Sequence, residues 1–262
     1  MSKVSGTQAI DRALGVLKCF TDGKRRLRVS EISEMLELNS STTHRIVRAL
    51  TDNGFLQQDS ATSGYHLGST TLVLGQLAQQ HLGFNEAMPV LERIGMETGE
   101  SVNIGIRDDE EVLVLLRVES DHPLRFDQSP GTRIPLHCTA MGKAILAFTP
   151  DLNIDDLGIL EAKTKSTISD KTLLHEELEK VRRLGYSTDD EESIEGVRCV
   201  GAPILGWSGN AVAAIAVQAP WVRLGESRIP EVGERLIQAA EEISQVIPIA
   251  RNDRQREMLP TP

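Results

Sequence analysis

The chain has 262 residues, of which 40% are hydrophobic and 25% are charged, an ordinary composition for a soluble globular protein. This length is enough for one small and one medium domain, each with its own hydrophobic core. The three cysteines lie in unrelated sequence contexts, which excludes a disulfide framework and a Cys-x-x-Cys zinc pair. The sequence has no apolar run long enough to span a membrane and no signal peptide at its start, so we expect a cytoplasmic protein without a membrane partner.

The net charge of −10 is distributed unevenly along the chain. Residues 1–80 carry nine Lys and Arg against seven Asp and Glu, a net of +2, whereas residues 81–262 carry 19 against 31, a net of −12. Phosphate repels an acidic surface, so any contact with nucleic acid should lie in the first 80 residues. Because a charge of +2 is modest, we expect weak non-specific binding and a need for dimeric contacts.

The first 68 residues predict three helices followed by a two-stranded wing. Apolar residues at helical spacing predict a helix after Thr7, and a second helix begins at Ser30. After a three-residue turn, Asn39 or Ser40 caps the third helix. Two short strands separated by a five-residue turn complete the unit. This order is typical of a winged helix-turn-helix domain, which we predict over residues 1–68.

The rest of the chain predicts a linker and a larger domain. Residues 69–84 form a linker helix, whose apolar stripe either packs on its own chain or serves self-association. Over residues 85–250 strands and helices follow one another in mixed order, which predicts an α+β domain with helices on a face of the sheet. The polar residues 251–262 predict a flexible tail.

The third helix has the composition of a recognition helix. Ser41, Arg45 and Arg48 share one face, while Ile46, Ala49 and Leu50 lie largely towards the core with Val47 beside them. Such a polar face can enter the major groove, where Arg45 would pair with guanine or phosphate. We expect DNA contacts from nine residues: Arg25, Arg28, Ser40, Ser41, Thr42, Thr43, His44, Arg45 and Arg48.

Two alternatives stay open for these side chains. Arg45 and Arg48 are solvated surface charges if the helix stands alone, but the short helix before it and the wing after it favour DNA binding. His44 either contacts phosphate or packs against the preceding helix. The wing turn has no Lys or Arg, so the basic cluster at 24–28 is expected to contact the neighbouring DNA backbone.

Three ordered blocks of sequence carry a resemblance to a known family. The first combines AIDRAL at 9–14, STTHR at 41–45 and YHLG at 65–68; the second is GTRIPLHCTAMGKA at 131–144; the third is GYSTDDEE at 185–192 with GVRCVGAP at 196–203. At this spacing the chain resembles the IclR family of bacterial transcriptional regulators over nearly its whole length. It departs from the family in the helix-turn-helix turn, where Glu37 stands in place of the usual Gly. A positive φ at Glu37 would cost on the order of 1 kcal/mol.

The resemblance implies a winged helix-turn-helix followed by an effector domain similar to the GAF fold. It implies a small metabolite as the effector, often an organic or aromatic acid. It also implies dimers or tetramers on palindromic operator DNA, which suits the two-fold symmetry of such complexes. Nothing in the sequence predicts a cofactor or a bound metal.

A candidate effector site follows from the second and third blocks. Thr139 can cap a helix whose free N–H groups attract a carboxylate, although a purely structural turn held by Arg133 and His137 is the alternative. The resemblance places positions 189 and 199 in the ligand pocket; a capping carboxylate and a small buried residue are the alternatives. The expected effector-binding residues are Gly131, Arg133, His137, Thr139, Ala140, Met141, Gly142, Asp189, Cys199, Ala216 and Gln218.

The side chains at two of these positions bear on the effector. Family members that bind small keto acids tend to have Ser where this chain has Ala216 and Gln218. The pocket should therefore be poor in hydroxyl groups, and we do not assign the glyoxylate-like ligand of those family members to this chain. Apolar neighbours at Leu116, Leu136, Met141 and Leu146 suggest a larger or aromatic acid.

Two other functions fit the sequence less well than a regulator does. His137, Cys138, Cys199 and Asp189 would supply a cysteine-dependent hydrolase, but no motif sets such a triad. A metal sensor using His137 with a cysteine has poor ligand spacing. The sequence therefore predicts a protein that is not an enzyme. We expect a ligand-responsive transcriptional regulator, a repressor rather than an activator, whose signal passes through residues 69–98.

Overall fold

In the computed structural model, residues 7–21 and 26–248 are described. The chain divides between residues 80 and 81 into two compact units. Arg25, expected at the DNA, and the predicted tail at 251–262 lie outside the described residues. Within the described ranges, every helix is too short or too polar to cross a membrane.

The first unit contains three helices, a β-hairpin and most of a fourth helix. Its elements are α1 (Gln8–Lys18), α2 (Val29–Met35), α3 (Ser40–Asp52), β1 (Leu56–Gln58), β2 (Tyr65–Leu67) and α4 (Ser69–Leu82). Strands β1 and β2 pair antiparallel, and Leu27 forms an isolated bridge to Tyr65 beside them. Buried Val16, Ile32 and Val47 join the three helices into one core.

The ends of α2 and α3 differ slightly from the sequence prediction. Helix α2 begins at Val29, and its preceding residue Arg28 donates its backbone N–H to Oε2 of Glu31 at 2.7 Å. Of the two predicted caps for α3, Asn39 is the one used, because its Oδ1 accepts from the Thr42 N–H at 2.8 Å. Ala49 is exposed, contrary to expectation.

The second unit is built on a six-stranded antiparallel sheet of order β5-β4-β3-β8-β7-β6. Its elements are α5 (Phe84–Thr98), β3 (Ser101–Asp108), β4 (Glu111–Val118), β5 (Arg133–Pro135), α6 (Ala140–Ala147), α7 (Lys171–Leu184), β6 (Ser187–Asp190), β7 (Val197–Leu205), β8 (Ala211–Pro220) and α8 (Ile229–Val246). The expected mixed α+β fold is confirmed; the short strand β5 was not predicted.

The two faces of this sheet carry side chains of different size. Along β8, Ile215 and Val217 pack towards α5 and α8, whereas Ala214 and Ala216 lie on the face of α6 and α7. Small side chains let α6 come close, and a Cβ at Gly201 of β7 would lie 2.9 Å from the carbonyl carbon of Ala140. Every residue of α6 is buried as a result. The start of α6 therefore sits against the middle of the sheet.

Candidate functional site

The outer face of α3 is polar and exposed. Ser40, Ser41, His44, Arg45 and Arg48 are all exposed, as a groove-reading helix requires. Exposed His44 does not pack into the core. Together with Tyr65 and Gln58 of the hairpin, the three longer side chains line a surface concavity of about 430 Å³ between α3 and the wing.

One expected DNA contact lies on the wrong side of this helix. Thr43 is completely buried, and its Oγ1 donates to the carbonyl oxygen of Asn39 at 3.2 Å. It packs with Val47 because both point inward at helical spacing. Thr43 is therefore a core residue, whereas Thr42, one position earlier, is half-buried and borders the surface.

The wing turn is shaped by a carboxylate rather than by a basic residue. Oδ1 of Asp59 accepts the N–H groups of Ala61 and Thr62 at 2.8 and 3.1 Å, and Oδ2 pairs with Arg26 at 3.0 Å. These backbone bonds, with Arg26, hold the pKa of Asp59 below its usual value. Part of the basic cluster before α2 is thus used to hold the wing.

Two helices of the first unit leave apolar side chains in solvent. On α1 these are Ile10 and Leu14; on α4 they are Leu72, Val73, Leu74 and Leu77. A groove of about 480 Å³ also runs between α1 and α3, and Ala9, Ala13, Ala49 and Leu50 lie along it. A single unit of this size does not normally expose so much apolar surface without a partner.

A small cavity lies where α6 begins against the sheet. We call it the α6 cavity; its volume is about 20 Å³, room for about one water molecule. Seven of the eleven expected effector residues line it: Thr139, Ala140, Met141, Asp189, Cys199, Ala216 and Gln218. Four lining residues were not predicted: Asn103, Gln128, Ile134 and Ser193.

The remaining four expected residues have other roles. Exposed Arg133 pairs with Asp108 on the neighbouring hairpin, and Gly131, also exposed, has φ 94° in a turn. Nε2 of buried His137 lies 3.1 Å from the carbonyl oxygen of Glu161, and burial lowers the pKa of this imidazole. A Cβ at Gly142 would lie 2.2 Å from the Leu136 carbonyl oxygen. The alternative of a purely structural turn therefore fits these four residues better, and none of them lines the α6 cavity.

The first turn of α6 presents a positive end to the cavity. Oγ1 of Thr139 accepts the Gly142 N–H at 3.2 Å and donates to the carbonyl oxygen of Pro135 at 2.6 Å. Ala140 and Met141 come next, and the N–H groups of a first helical turn have no acceptor within the helix. Such a helix start attracts an anion.

Side-chain amides form another part of the cavity lining. Nδ2 of Asn103 donates to Oε1 of Gln128 at 3.2 Å and to Oε1 of Gln218 at 3.3 Å. All three side chains are buried. Oδ1 of Asn103 has no hydrogen-bond partner among the described residues. A polar residue inside an otherwise buried strand was the sequence signal that would have identified Asn103.

The third wall carries Asp189 and Cys199, which face each other across paired strands β6 and β7. Asp189 accepts the N–H groups of Glu192 and Ser193 at 2.8 and 3.2 Å, and the Ser193 hydroxyl at 2.5 Å. Burial raises the pKa of the Asp189 carboxyl. Burial also raises the pKa of the Cys199 thiol well above its ordinary value.

Cys138 and Cys199 are poor candidates for a catalytic nucleophile. Burial raises the pKa of Cys138 to about 12, so neither thiol facing this region has the lowered pKa of a nucleophile. In the ranges that the structure describes, no three His, Cys, Asp or Glu side chains are placed to hold a metal ion.

A buried ion cluster adjoins the cavity and was missed by the sequence analysis. The ammonium of Lys143, on α6, contacts Oε1 of Glu192 at 2.5 Å and Oε1 of Glu177 at 3.2 Å. Burial opposes its charge, but the two carboxylates outweigh that effect and raise the pKa of Lys143. Since Glu192 also donates its N–H to Asp189, the cluster is connected to the cavity wall.

Two family models match the chain. Residues 9–60 match the IclR helix-turn-helix domain, and residues 76–245 match the C-terminal domain of bacterial transcriptional regulators of the IclR type. Together they cover both units of the structure.

Curated relatives and solved structures agree with these matches. The chain is 35% identical to the HTH-type transcriptional regulator BhcR of Paracoccus denitrificans, over 91% of this chain and 87% of that protein. It is 31% identical to the HTH-type transcriptional repressor AllR of Escherichia coli K12, over 91% and 90%. The crystal structure of Thermotoga maritima IclR superposes with a TM-score of 0.73 at 28% identity, covering 91% and 98% of the two chains. These relatives are regulators of transcription and not enzymes, and the chain belongs to the IclR family of bacterial transcriptional regulators.

Proposed function

We propose that this protein is a ligand-responsive transcriptional repressor that binds operator DNA and is controlled by a small organic acid. The observation that carries the proposal is the combination of an exposed polar recognition face on α3 with an anion-attracting cavity at the start of α6. Repression rather than activation is favoured because AllR, 31% identical over 91% of this chain, is a repressor. Such a regulator acts in the bacterial cytoplasm, where the DNA lies.

Operator reading is assigned to α3. Ser41 and Arg45 lie on its exposed face, and an arginine of this kind pairs with guanine or phosphate. Exposed Arg28 and His44 are assigned to the flanking DNA backbone. Buried Thr43 is removed from the contact set.

Self-association is assigned to the exposed apolar faces of α1 and α4. Leu72 and Leu77 on α4 are 63% and 56% exposed, and Ile10 on α1 is 61% exposed. A second copy of the chain is the natural partner, because a dimer places two recognition helices on a palindromic site. The weak positive charge of the first 80 residues makes this doubling of contacts necessary for tight binding.

The effector is assigned to the α6 cavity. The carboxylate of the ligand would meet the N–H groups at Ala140 and Met141, while carboxamide side chains surround its other end. An aromatic acid, suggested by the sequence, requires the cavity to widen well beyond its present volume of about 20 Å³. Leu116, Leu136 and Leu146, expected to favour such a ligand, do not line the cavity in this form.

Ligand control requires that the acid bind one state of the protein better than another. Helix α4 crosses the boundary between the two units, so it is the direct covalent route for the signal. Couplings of this kind are typically about 1–3 kcal/mol. We therefore expect the bound acid to change operator affinity by about tenfold to a hundredfold.

Fluorescence anisotropy with the DNA that flanks the gene for this protein tests the proposal. We expect salt-sensitive binding to one palindromic segment, and release of that segment by an acid found in a thermal-shift screen of organic acids. Absence of sequence-specific binding would refute the regulator. An acid that stabilises the protein but leaves DNA affinity and footprint unchanged would refute the control mechanism.

A further inference from the structure

The three carboxamides of the α6 cavity leave one polar atom without a partner. Asn103 is 1% exposed, and both hydrogens of its Nδ2 are used by Gln128 and Gln218. Its Oδ1 is buried and has no partner among the residues that the structure describes. A buried carbonyl without a hydrogen bond is costly, so it marks the place of a group that is supplied from outside the chain.

The orientation of the Asn103 amide is fixed by its neighbours. The side-chain oxygens of Gln128 and Gln218 occupy the Nδ2 side of this amide. The free atom is therefore an acceptor, and the group that satisfies it must be a donor. Among small acids, an alcohol hydroxyl is a donor, whereas a keto oxygen and a methylene group are not.

The position of Asn103 separates this role from carboxylate binding. On the sheet, Asn103 pairs in register with Ala216, while the N–H groups at the start of α6 form a different wall of the same cavity. A methyl side chain at 216 offers no competing hydrogen bond. The two ends of a short ligand thus meet two different kinds of group: N–H donors at α6 and, at Asn103, an acceptor that has no partner among the described residues.

We propose that Asn103 is the specificity-determining residue of the effector site, and that its Oδ1 selects small hydroxy acids over keto acids and unsubstituted acids. This inference rests on the proposed effector function of the α6 cavity. Asn103 positions and selects the ligand; the helix start holds its charge. The cavity volume of about 20 Å³ favours the smallest members of the class, because they require the least expansion.

Isothermal titration of the full chain with propionate, lactate and pyruvate tests the inference, because the three acids share a three-carbon skeleton and differ only at C2. Both enantiomers of lactate are included. We expect lactate to bind about tenfold more tightly than the other two acids. Equal affinities, or tighter binding of pyruvate, would overturn the assignment without any variant being made. Failure of all three acids to bind at millimolar concentration would overturn it as well.

An Asn103→Leu variant, similar in size and unable to accept a hydrogen bond, then identifies the residue responsible. We expect it to bind lactate and propionate equally well, so the ratio of the two affinities within the variant is the readout. A lactate preference that survives this change would overturn the role of Asn103. Operator binding by the ligand-free variant and by the ligand-free wild type is measured in parallel. If the wild type also fails to bind the operator, the proposed regulator itself has failed, not the selection of its ligand.

Discussion

The Nζ atom of Lys143 lies 2.5 Å from Oε1 of Glu192, and the two side chains are only 0% and 8% exposed. Oε2 of Glu192 has no hydrogen-bond partner among the described residues. One carboxylate oxygen of the pair therefore lacks a hydrogen bond, and the negative charge of Glu192 is balanced by the ammonium of Lys143.

Replacing Lys143 with Met should destabilise the protein by about 3–5 kcal/mol, because it leaves buried carboxylates without a counter-charge. Urea unfolding measures the loss. Lys180→Met is the matched control: Lys180 lies 3.5 Å from the other oxygen of Glu177 but is 54% exposed, so its loss should cost less than about 1 kcal/mol. Equal losses in the two variants would contradict the buried-cluster account.

Stability should fall as pH rises, because Glu192 then loses its proton in a buried site. Burial raises the pKa of Glu192 from 4.5 to about 7, against the pull of Lys143. A carboxyl pKa that is higher in the folded chain than in the unfolded chain stabilises the fold at low pH. This contribution is lost as pH rises from the pKa of Glu192 in the unfolded chain through 7. The expected change is on the order of 2 kcal/mol between pH 5 and 8.

The pH effect is measured as the difference between the wild type and Glu192→Gln in urea unfolding. His137 contributes the opposite slope, because burial lowers its pKa and the unfolded chain takes up a proton first as pH falls. The comparison with Glu192→Gln removes that background. If both proteins lose stability in parallel between pH 5 and 8, Glu192 is not the titrating group.

Arg45→Ala should weaken operator binding by about 1–3 kcal/mol and relax the preference at one base pair. The exposed arginine of α7, Arg183, provides the same substitution in the acidic unit. Arg183→Ala should leave operator affinity unchanged in anisotropy titrations at fixed salt. A DNA-binding role for α3 would be untenable if Arg45→Ala behaved in the same way as this control.

Glu37→Gly should stabilise the protein by about 0.5–1 kcal/mol. Glu37 has φ 52°, a left-handed conformation that costs a residue with a side chain about 1 kcal/mol or more and costs Gly almost nothing. Glu34→Gly, in helix α2 three residues earlier, should instead destabilise by about 1 kcal/mol. Thermal unfolding of both variants checks the opposite signs; destabilisation in both would show that Glu37 is unstrained.

The double substitution Leu72→Glu and Leu77→Glu should convert the protein to a monomer. Four charges would then face each other in a symmetric contact between two α4 helices, and like charges there are repulsive. Sedimentation velocity measures the change, with Leu173→Glu on α7 as an exposed-leucine control. Unchanged association would exclude α4 as the contact surface.

Helical periodicity predicted most of the fold, because local apolar spacing determines which segments become helices. Glu37, which stands where the family usually has Gly, does adopt a positive φ. Thr43 was misplaced because a threonine at the start of a helix suits either a surface or a core. Only its spacing from Val47 settles the matter, since both residues lie on the inward face.

The cavity was predicted less completely than the fold. Asp189, Cys199 and Gln218 were found from the family resemblance and line it, but Asn103 was missed. Its signal was present, because Asn103 lies between Val102 and Ile104 in the part of β3 where five consecutive residues are buried. What the sequence does not contain is which residues of distant segments meet, and this is why Gln128, from a loop before β5, was also missed.

The two faces of the central strand β8 have different roles. Ile215 and Val217 fill the core beneath α5 and α8, while Ala216 and Gln218 form the cavity wall. Alternation along the strand keeps these sets apart, so a substitution at 216 or 218 alters the α6 cavity and leaves the opposite core untouched. Under the proposed function, this separation lets effector preference change at a few positions with small thermodynamic cost to the fold.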